Sequence, residues 1–443
     1  MADFTSKQYK IYITPRVSKD VYGSEIEVSA EILDKGTKTM KKSIDSSDYE
    51  VGVYTYGDIG IKVFNINGKY NNETDGRSIF PYSRDLAKVR AVYSDNTGEY
   101  TRFKGLINEE ATKQDITSEE VEFRVLSVDS VIRTTKIAGG LVTSGLLASD
   151  AIKAILNQAN ITRVLNYSAS NISVDQDFII DDGSFFDNKN VRKGLNELLV
   201  ATNSVLIIDS SDNMIVKSRA YENISLLNLY GPFDEQMRQN IHNVRNYNTG
   251  IHRTFTSIRI GDTEVSDNGF VQDYGFRQFS KSMSYVTTVS TKTIIANRIL
   301  SEFKTPRIEC EVSLPTYIAK NLDLLDPVSL NYPLRVERYE DGKFLPIIGQ
   351  TEIGDSEMPL PKAFGNIAIS DAVAFKVIEI AENPTTFETI LKLRQFGWYS
   401  DTASCFVGYA RIGESTICAE GTDCDSFEVA NIGGAKVGCT LIA

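Results

Sequence analysis

Carboxylates are the side chains through which this sequence could do chemistry. Asp181, Asp182 and Asp187 fall within DDGSFFD, and Asp209 and Asp212 within DSSD. Paired acids can hydrolyse a glycan, which would suit a cell-wall enzyme, or hold calcium in an oxygen cage. Both groups lie in turns rich in Asn, Ser and Gly, where Asp is favoured because its side chain bonds its own backbone. Turn chemistry is the reading the residues favour, with calcium and catalysis as alternatives. There are two His in the chain, His242 and His252, so any Ser–His–Asp or Cys–His site must use one of them. Both sit beside Asn, Arg and Thr in a segment that reads as strand and turn, which suits a surface or hydrogen-bonded imidazole better than a catalytic base.

Cysteine usage adds little. Cys310 stands alone, while Cys405, Cys418, Cys424 and Cys439 crowd into the last forty or so residues without CxxC spacing. Buried thiols or disulfides formed late in an assembled particle fit better than a zinc site. GGAKVG, Gly433 to Gly438, is too loose for a phosphate loop and lacks the following Ser or Thr. No Walker loop, dinucleotide fingerprint, GxSxG elbow or HExxH occurs. The expectation is a protein that is not an enzyme, with no catalytic, cofactor-binding or metal-binding residue and no cofactor.

The elements that would position these residues centre on NVRKGLNELLVATNSVLIIDSSDNMIVKSR, Asn190 to Arg219. Asn190 is placed to cap a helix. Val191, Leu195, Leu198 and Leu199 then form one apolar face, and Thr202 and Asn203 end the helix. Ser204 to Ile208 and Met214 to Lys217 read as two strands around the turn at Asp209 to Asn213. A helix against a hairpin is expected. A second helix is expected from about Asp150, capped by Ser149, with Ile152, Ile155 and Leu156 as its stripe.

On either side the sequence is β-rich. Before the module, strands are expected at Tyr9 to Ile13, Glu25 to Ile32, Tyr54 to Phe64, Leu86 to Tyr93, Glu99 to Ile107 and Glu120 to Val128, with Ser43 to Tyr49 as a turn. After it come Thr254 to Gly261, a turn at Ser266 to Gly269, a helix at Thr291 to Phe303 stopped by Pro306, and strands at Glu309 to Leu314 and Pro327 to Tyr332. Gly342 to Pro361 reads as a loop, and Phe375 to Ala381 with Phe387 to Leu393 as a closing hairpin. Short strands at regular spacing suggest barrels or sandwiches.

Composition agrees with a sheet protein of several domains. At ~150 residues per domain, 443 residues imply about three. There are 21 Tyr and 21 Phe, and apolar content of 42% with charged content of 24% is globular. A net charge of −12 without a basic run argues against a protein that grips the outside of nucleic acid, while allowing a duplex to slide past an acidic wall. The start, MADFTSKQYK, has no apolar leader, and no run approaches the ~20 residues of a bilayer span, so the reading is a chain made in a cytoplasm and not exported by the usual route.

The order of elements resembles a baseplate hub or tail-tip hub protein of tailed bacteriophages, a group shared with the hubs of contractile injection machines. Four segments carry the resemblance. TRFKGLINEEATKQDITSEEVEFRVLSV is similar to strands of the first hub barrel, and NVRKGLNELLVATNSVLIIDSSDNMIVKSR to the inserted helix and hairpin. QNIHNVRNYNTG, followed by VQDYGFRQ and ANRILSEFKTPRIECEV, resembles re-entry into the second barrel. LDLLDPVSLNY and FKVIEIAENPTTFETILKLRQFGW look like its last strands.

The resemblance implies a mainly β fold with two β-barrel hub domains, separated by an α/β insertion and followed by a small appendix. The expected division is 1–137, N-terminal barrel; 138–238, inserted domain; 239–398, second barrel; and 399–443, Gly- and Cys-rich appendix. It also implies a homotrimer whose six barrels match a hexameric tail tube above and a threefold tip below. Expected partners are the tail tube or distal tail protein, the tape-measure protein and a central tip or fibre protein. DNA would be met only in transit, and the place would be the virion tail, assembled in the host cytoplasm. Tyr54, Tyr56 and Phe270 are the candidate interface aromatics. The alternatives are a receptor- or carbohydrate-binding tail-tip protein, which the aromatic loops and appendix would suit, and a tail-associated cell-wall hydrolase.

Overall fold

A computed structural model describes residues 7–19, 21–37, 39–44, 55–71, 76–115, 117, 119–127, 135–158, 166–174, 177–208, 213–218, 227–231, 239–248, 253–304, 307–331, 373–398, 430–432 and 435–437. The first β-rich block contains β1 (Gln8–Thr14), β2 (Arg16–Ser18), β3 (Val21–Tyr22), β4 (Ile26–Glu27), β5 (Ile32–Thr37), β6 (Met40–Ile44), β7 (Thr55–Phe64), β8 (Lys88–Asp95), β9 (Gly98–Asp115) and β10 (Glu120–Leu126). Alternation sets its core. In EVEFRVL, Val121, Phe123 and Val125 turn inward, opposite Val63, Ile61 and Ile59 of β7. Burying side chains of this size contributes roughly 1.5–3 kcal/mol each. With Ile11, Ile13, Val89, Ala91 and Phe103 they form one apolar cluster.

The middle module follows the sequence reading closely. Helix α1 (Ala148–Gln158) and helix α2 (Val191–Ala201) pack with a sheet of β11 (Asn166–Ile172), β12 (Ser204–Ile208) and β13 (Asn213–Ser218). The Asn190 side chain accepts the Arg192 N–H at 3.0 Å, closing the amino end of α2. Val191, Leu195, Leu198 and Leu199 are fully buried. Thr202 ends the helix by bonding back to the Leu198 carbonyl at 2.8 Å.

The second β-rich block contains β14 (Leu227–Tyr230), β15 (Asn243–Asn248), β16 (Ser257–Ile260), β17 (Thr263–Ser266), helix α3 (Asn268–Tyr274), β18 (Gln278–Lys281), helix α4 (Val289–Phe303), β19 (Glu309–Pro315), helix α5 (Thr316–Ala319), β20 (Pro327–Asn331), β21 (Val373–Asn383) and β22 (Glu388–Trp398). In the tail, β23 (Ala430–Ile432) pairs with β24 (Ala435–Val437). A second apolar cluster runs from Leu106 and Ile137 to Leu393, so the middle module and this block share one core.

The fold is mainly β with an α/β module between its β-rich parts. Fourteen strands form one sheet: eleven run in order from β15 through β19, β22, β21, β6, β7, β10, β9 and β8 to β1 and β4, while β5 pairs with β7, β20 with β21 and β14 with β20. Strand β6 joins the two blocks, one edge pairing with β7 and the other with β21, while the first block returns on itself through residues 26–37, whose β4 pairs with β1 and whose β5 pairs with β7.

Four local expectations change. EIEVSAEI is not one strand, because Ser29 Oγ accepts the Ile11 N–H at 3.0 Å and the chain makes a 3₁₀ turn over Ser29–Glu31. Ser43 and Ile44, expected in a turn, lie in β6, which has a partner on each side. Ser149 is inside α1 and does not cap it; its N–H and hydroxyl donate instead to Asp177. Residues after Asp267 form helix α3, because the Asp267 carboxylate accepts the Gly269 and Phe270 N–H groups. Gly342 to Pro361 and Pro306 lie outside the described residues.

Candidate functional site

The acidic triplet is occupied by backbone donors. Asp181 Oδ2 accepts the N–H groups of Thr287 at 2.6 Å and Thr288 at 2.9 Å, and both threonine hydroxyls donate to it. The bond from the Thr288 N–H leads in holding this carboxyl below the usual range. Asp182 Oδ1 accepts the Ser184 N–H and hydroxyl at 3.0 and 2.7 Å and opens a 3₁₀ turn over Gly183–Phe186. Asp187 Oδ1 accepts the Gly140 N–H at 2.8 Å. Asp181 and Asp182 thus act as caps, and Asp187 ties the backbone at Gly140 to the turn that carries it. Asp209 and Asp212 lie outside the described residues. Among the described residues, no group of three or more His, Cys, Asp or Glu could hold a metal ion.

His242 is exposed just before β15, and its backbone N–H donates to the Ser313 carbonyl at 2.8 Å. Cys310 is buried in β19, where burial pushes its thiol up to about 12, so it is protonated at neutral pH. His252, Cys405, Cys418, Cys424, Cys439, Gly433, Gly434 and Gly438 are outside the described residues.

Of the candidate interface aromatics, Tyr56 and Phe270 lie on β7 and α3, in different blocks. Tyr54 is outside the described residues, and Tyr56 lies on β7 opposite Ser43 of β6. Phe270 is half-buried on α3, stacked on Tyr274 at 5.9 Å between centroids, with Lys304 Nζ 5.1 Å from its ring.

The arrangement that sequence reading missed is where the first block meets the second. Arg102 and Glu382 are buried there, 280 residues apart. Arg102 Nε donates to Glu382 Oε1 at 2.7 Å, and its NH1 donates to the carbonyls of Lys320 and Leu322 at 2.6 and 3.2 Å. Tyr9 donates its hydroxyl to Glu382 Oε2 at 2.8 Å; burial, then the Glu382 charge, push its phenol far above the usual range. Beside them Lys320 Nζ meets Asp95 Oδ2 at 2.8 Å. Arg102 reaches this place because the β8–β9 register slips between Ala91 and Val92, leaving it as the extra residue of a bulge. No sequence signal marks that slip; an Arg between Thr101 and Phe103 in an alternating run is the only trace.

These features, two β-rich blocks in one sheet around a helix-and-hairpin module, have a match among solved structures. The tail protein from Neisseria meningitidis MC58 is similar over 89% of this chain and 98% of that one, at 9% identity and a TM-score of 0.54. The chain has a tail-protein fold. Prophage tail protein gp18 from Listeria monocytogenes EGD-e matches 87% of this chain and 94% of that one at 12% identity and TM-score 0.48. The 43 kDa tail protein of prophage MuSo2 from Shewanella oneidensis matches 87% and 97% at 11% identity and TM-score 0.43. No protein-family model matches the sequence, and no curated protein matches it. The tail-protein fold is the relationship on which the sequence resemblance and the structure agree. Among the described residues, no helix is long and apolar enough to cross a membrane.

Proposed function

We propose that the chain is a non-enzymatic structural subunit of a phage tail tip or baseplate: a trimeric hub that joins a hexameric tube to a threefold tip and leaves a passage for DNA. The observation that carries this is the fold shared with a tail protein over 98% of that protein's length. It is supported by the backbone roles of the acidic group, in which Asp181 and Asp182 cap helical segments and Asp187 accepts the Gly140 N–H. In this reading residues 1–137 and 239–398 supply the two lobes that alternate around the ring, 138–238 is the module between them, and 399–443 is an appendix. Three subunits carrying two lobes each present six positions to the tube and three to the tip. Tail tube or distal tail, tape-measure and tip or fibre proteins are its neighbours. An acidic lumen wall would repel DNA phosphates and let the duplex pass. Tyr54, Tyr56 and Phe270 are proposed to contribute to contacts between subunits.

Native mass measurement and electron imaging of the purified chain test the proposal. A ring of three copies is the expected result. A monomer that persists at high concentration, with no ring in images, overturns it. Purified protein incubated with peptidoglycan is expected to release nothing.

A further inference from the structure

We infer that the lobe built on β1–β10 is fastened to the rest of the chain by a hinge and a polar latch, so that it can part from the rest as a folded unit. Three observations carry this. First, the two apolar cores are separate: the cluster around Ile61 and Phe123 stays within the lobe, and the lobe reaches the other core through Leu106, with partly buried Ile44 and Leu86 packed against it. That contact is the hinge. Second, the ladder that fuses the two blocks is short, running from Glu379 opposite Ser43 to Glu382 opposite Met40. Third, the side chains along the seam are charged. Arg102 and Glu382 pair with side-chain exposures of 5% and 3%, and Lys320 reaches Asp95. Lys41 meets Glu379 at 2.8 Å, and Lys42 meets Asp323 at 3.7 Å. One ring is added: Phe387, in the turn between β21 and β22, lies 5.6 Å from Tyr9 and 6.4 Å from Tyr93.

A seam of this chemistry behaves differently from an apolar core. Opening a core exposes apolar surface and is opposed throughout. Opening the seam returns hydration to the buried pairs of Arg102 with Glu382 and Lys320 with Asp95, which offsets much of their lost attraction, and the part-exposed pairs of Lys41 with Glu379 and Lys42 with Asp323 cost little to separate. Each charge needs its partner while water is excluded and needs none once water has entered, so closed and open are discrete states with both cores intact on either side. Resting on the hub reading above, the joint lets one subunit change the angle between its β-rich blocks without unfolding.

Hydrogen exchange read by mass spectrometry on the full chain tests the joint, independently of whether the chain forms a trimer. In Arg102→Met, Glu382 is left buried without its countercharge, with the Tyr9 hydroxyl still donating to it. Amides of Met40–Ile44 and Glu379–Asn383 are then expected to exchange on the order of a hundredfold faster or more, while β8 and β19 keep their protection. Arg102→Met with Glu382→Leu should restore slow exchange at the seam. Protection lost across the whole lobe, or unchanged at the seam, overturns the inference. A second variant covers the case in which Arg102→Met does not fold. Ser43→Cys with Glu379→Cys places thiols on directly opposed residues. Its oxidation should slow exchange at the seam and leave strands inside each lobe unaffected. Equal slowing throughout, or none, overturns the inference as well.

Discussion

The carboxylate of Asp181 closes the amino end of α4, a helix that begins more than a hundred residues later, by accepting the Thr288 backbone N–H at 2.9 Å. No side chain on α4's own N-cap residue engages its free N–H groups. The cap is supplied from the middle module, and the contact ties that module to the second block. Asp181→Ala is expected to lower stability by about 1 kcal/mol, the usual worth of a capping side chain. Asp181→Asn, which keeps an acceptor, should lose less. Urea unfolding of the three proteins at neutral pH measures the order, and an Asn variant weaker than the Ala variant would refute it.

The same bond predicts a pH dependence. The Asp181 carboxyl is held below its ordinary value in the folded state, led by the Thr288 N–H. A depressed folded pKa means that the unfolded chain takes up the proton first as pH falls. The contribution is complete above the ordinary carboxylate range and is lost as pH drops through the lowered value. Asp95 follows the same rule. Burial raises its pKa, but hydrogen bonds from Lys320 and Thr97 outweigh burial and set it at about 2. Its contribution is present above about pH 4 and fades toward 2. Midpoints of urea unfolding taken between pH 2 and pH 7 should therefore show a smaller wild-type advantage over Asp95→Asn at the acid end.

Two glycines separate close backbone approach from mere side-chain crowding. A Cβ at Gly183 would stand 2.2 Å from the Val142 carbonyl oxygen and 2.8 Å from the Thr143 carbonyl carbon. At Gly194 the nearest atom is Ile137 Cδ1 at 2.4 Å, the far end of a side chain that can rotate away. Overpacking typically costs ~1–3 kcal/mol, and Gly183→Ala should fall at or beyond the upper end because backbone must move. Gly194→Ala also gains helix propensity on α2 and should fall near the lower end or below. Thermal unfolding of both variants measures the difference, and equal losses would count against this reading.

What could be read from the sequence follows the range of the interactions. Val121, Phe123 and Val125 alternate within one strand, and Val191, Leu195 and Leu198 recur along one helix, so pattern alone placed them. Asn190 caps a helix within its own segment and was legible for the same reason. Ser149 was not, since its partner Asp177 lies in a separate segment and outbid the local cap. The pairing of β6 with β21 joins Lys41 to Ala381, and nothing within the KKS or IAEN segments specifies it. The acids were read by composition as turn residues, and Asp182 serves as such, while the Asp187 carboxylate reaches Gly140, 47 residues away. That Asp181 caps a helix from another block depends on tertiary placement that periodicity does not contain.

Two ion pairs within the first block provide a last comparison. Arg84 Nε and NH2 form a fork on Glu109, at 2.6 and 2.7 Å, and NH1 donates to the Tyr70 carbonyl at 3.0 Å. The Arg84 side chain is 9% exposed. It holds the β9–β10 hairpin against the Tyr70 loop. Arg124 and Asp58 approach at 3.4 Å with side chains 52% and 31% exposed. Exposed pairs contribute about 0–1 kcal/mol, whereas a planar fork with a carbonyl bond is not reproduced by another cation. Arg84→Lys should therefore cost about 1–3 kcal/mol although charge is retained, and Arg124→Lys should change stability by less than about 0.5 kcal/mol. Salt sharpens the contrast. At 1 M NaCl the Debye length is about 3 Å, so any effect of Arg124→Ala should vanish while that of Arg84→Lys persists. Guanidinium cannot serve as the denaturant because it is itself a salt, so urea titrations at low and high NaCl make the measurement. A loss at Arg84 that salt abolishes would place that fork in water and not in the protein interior.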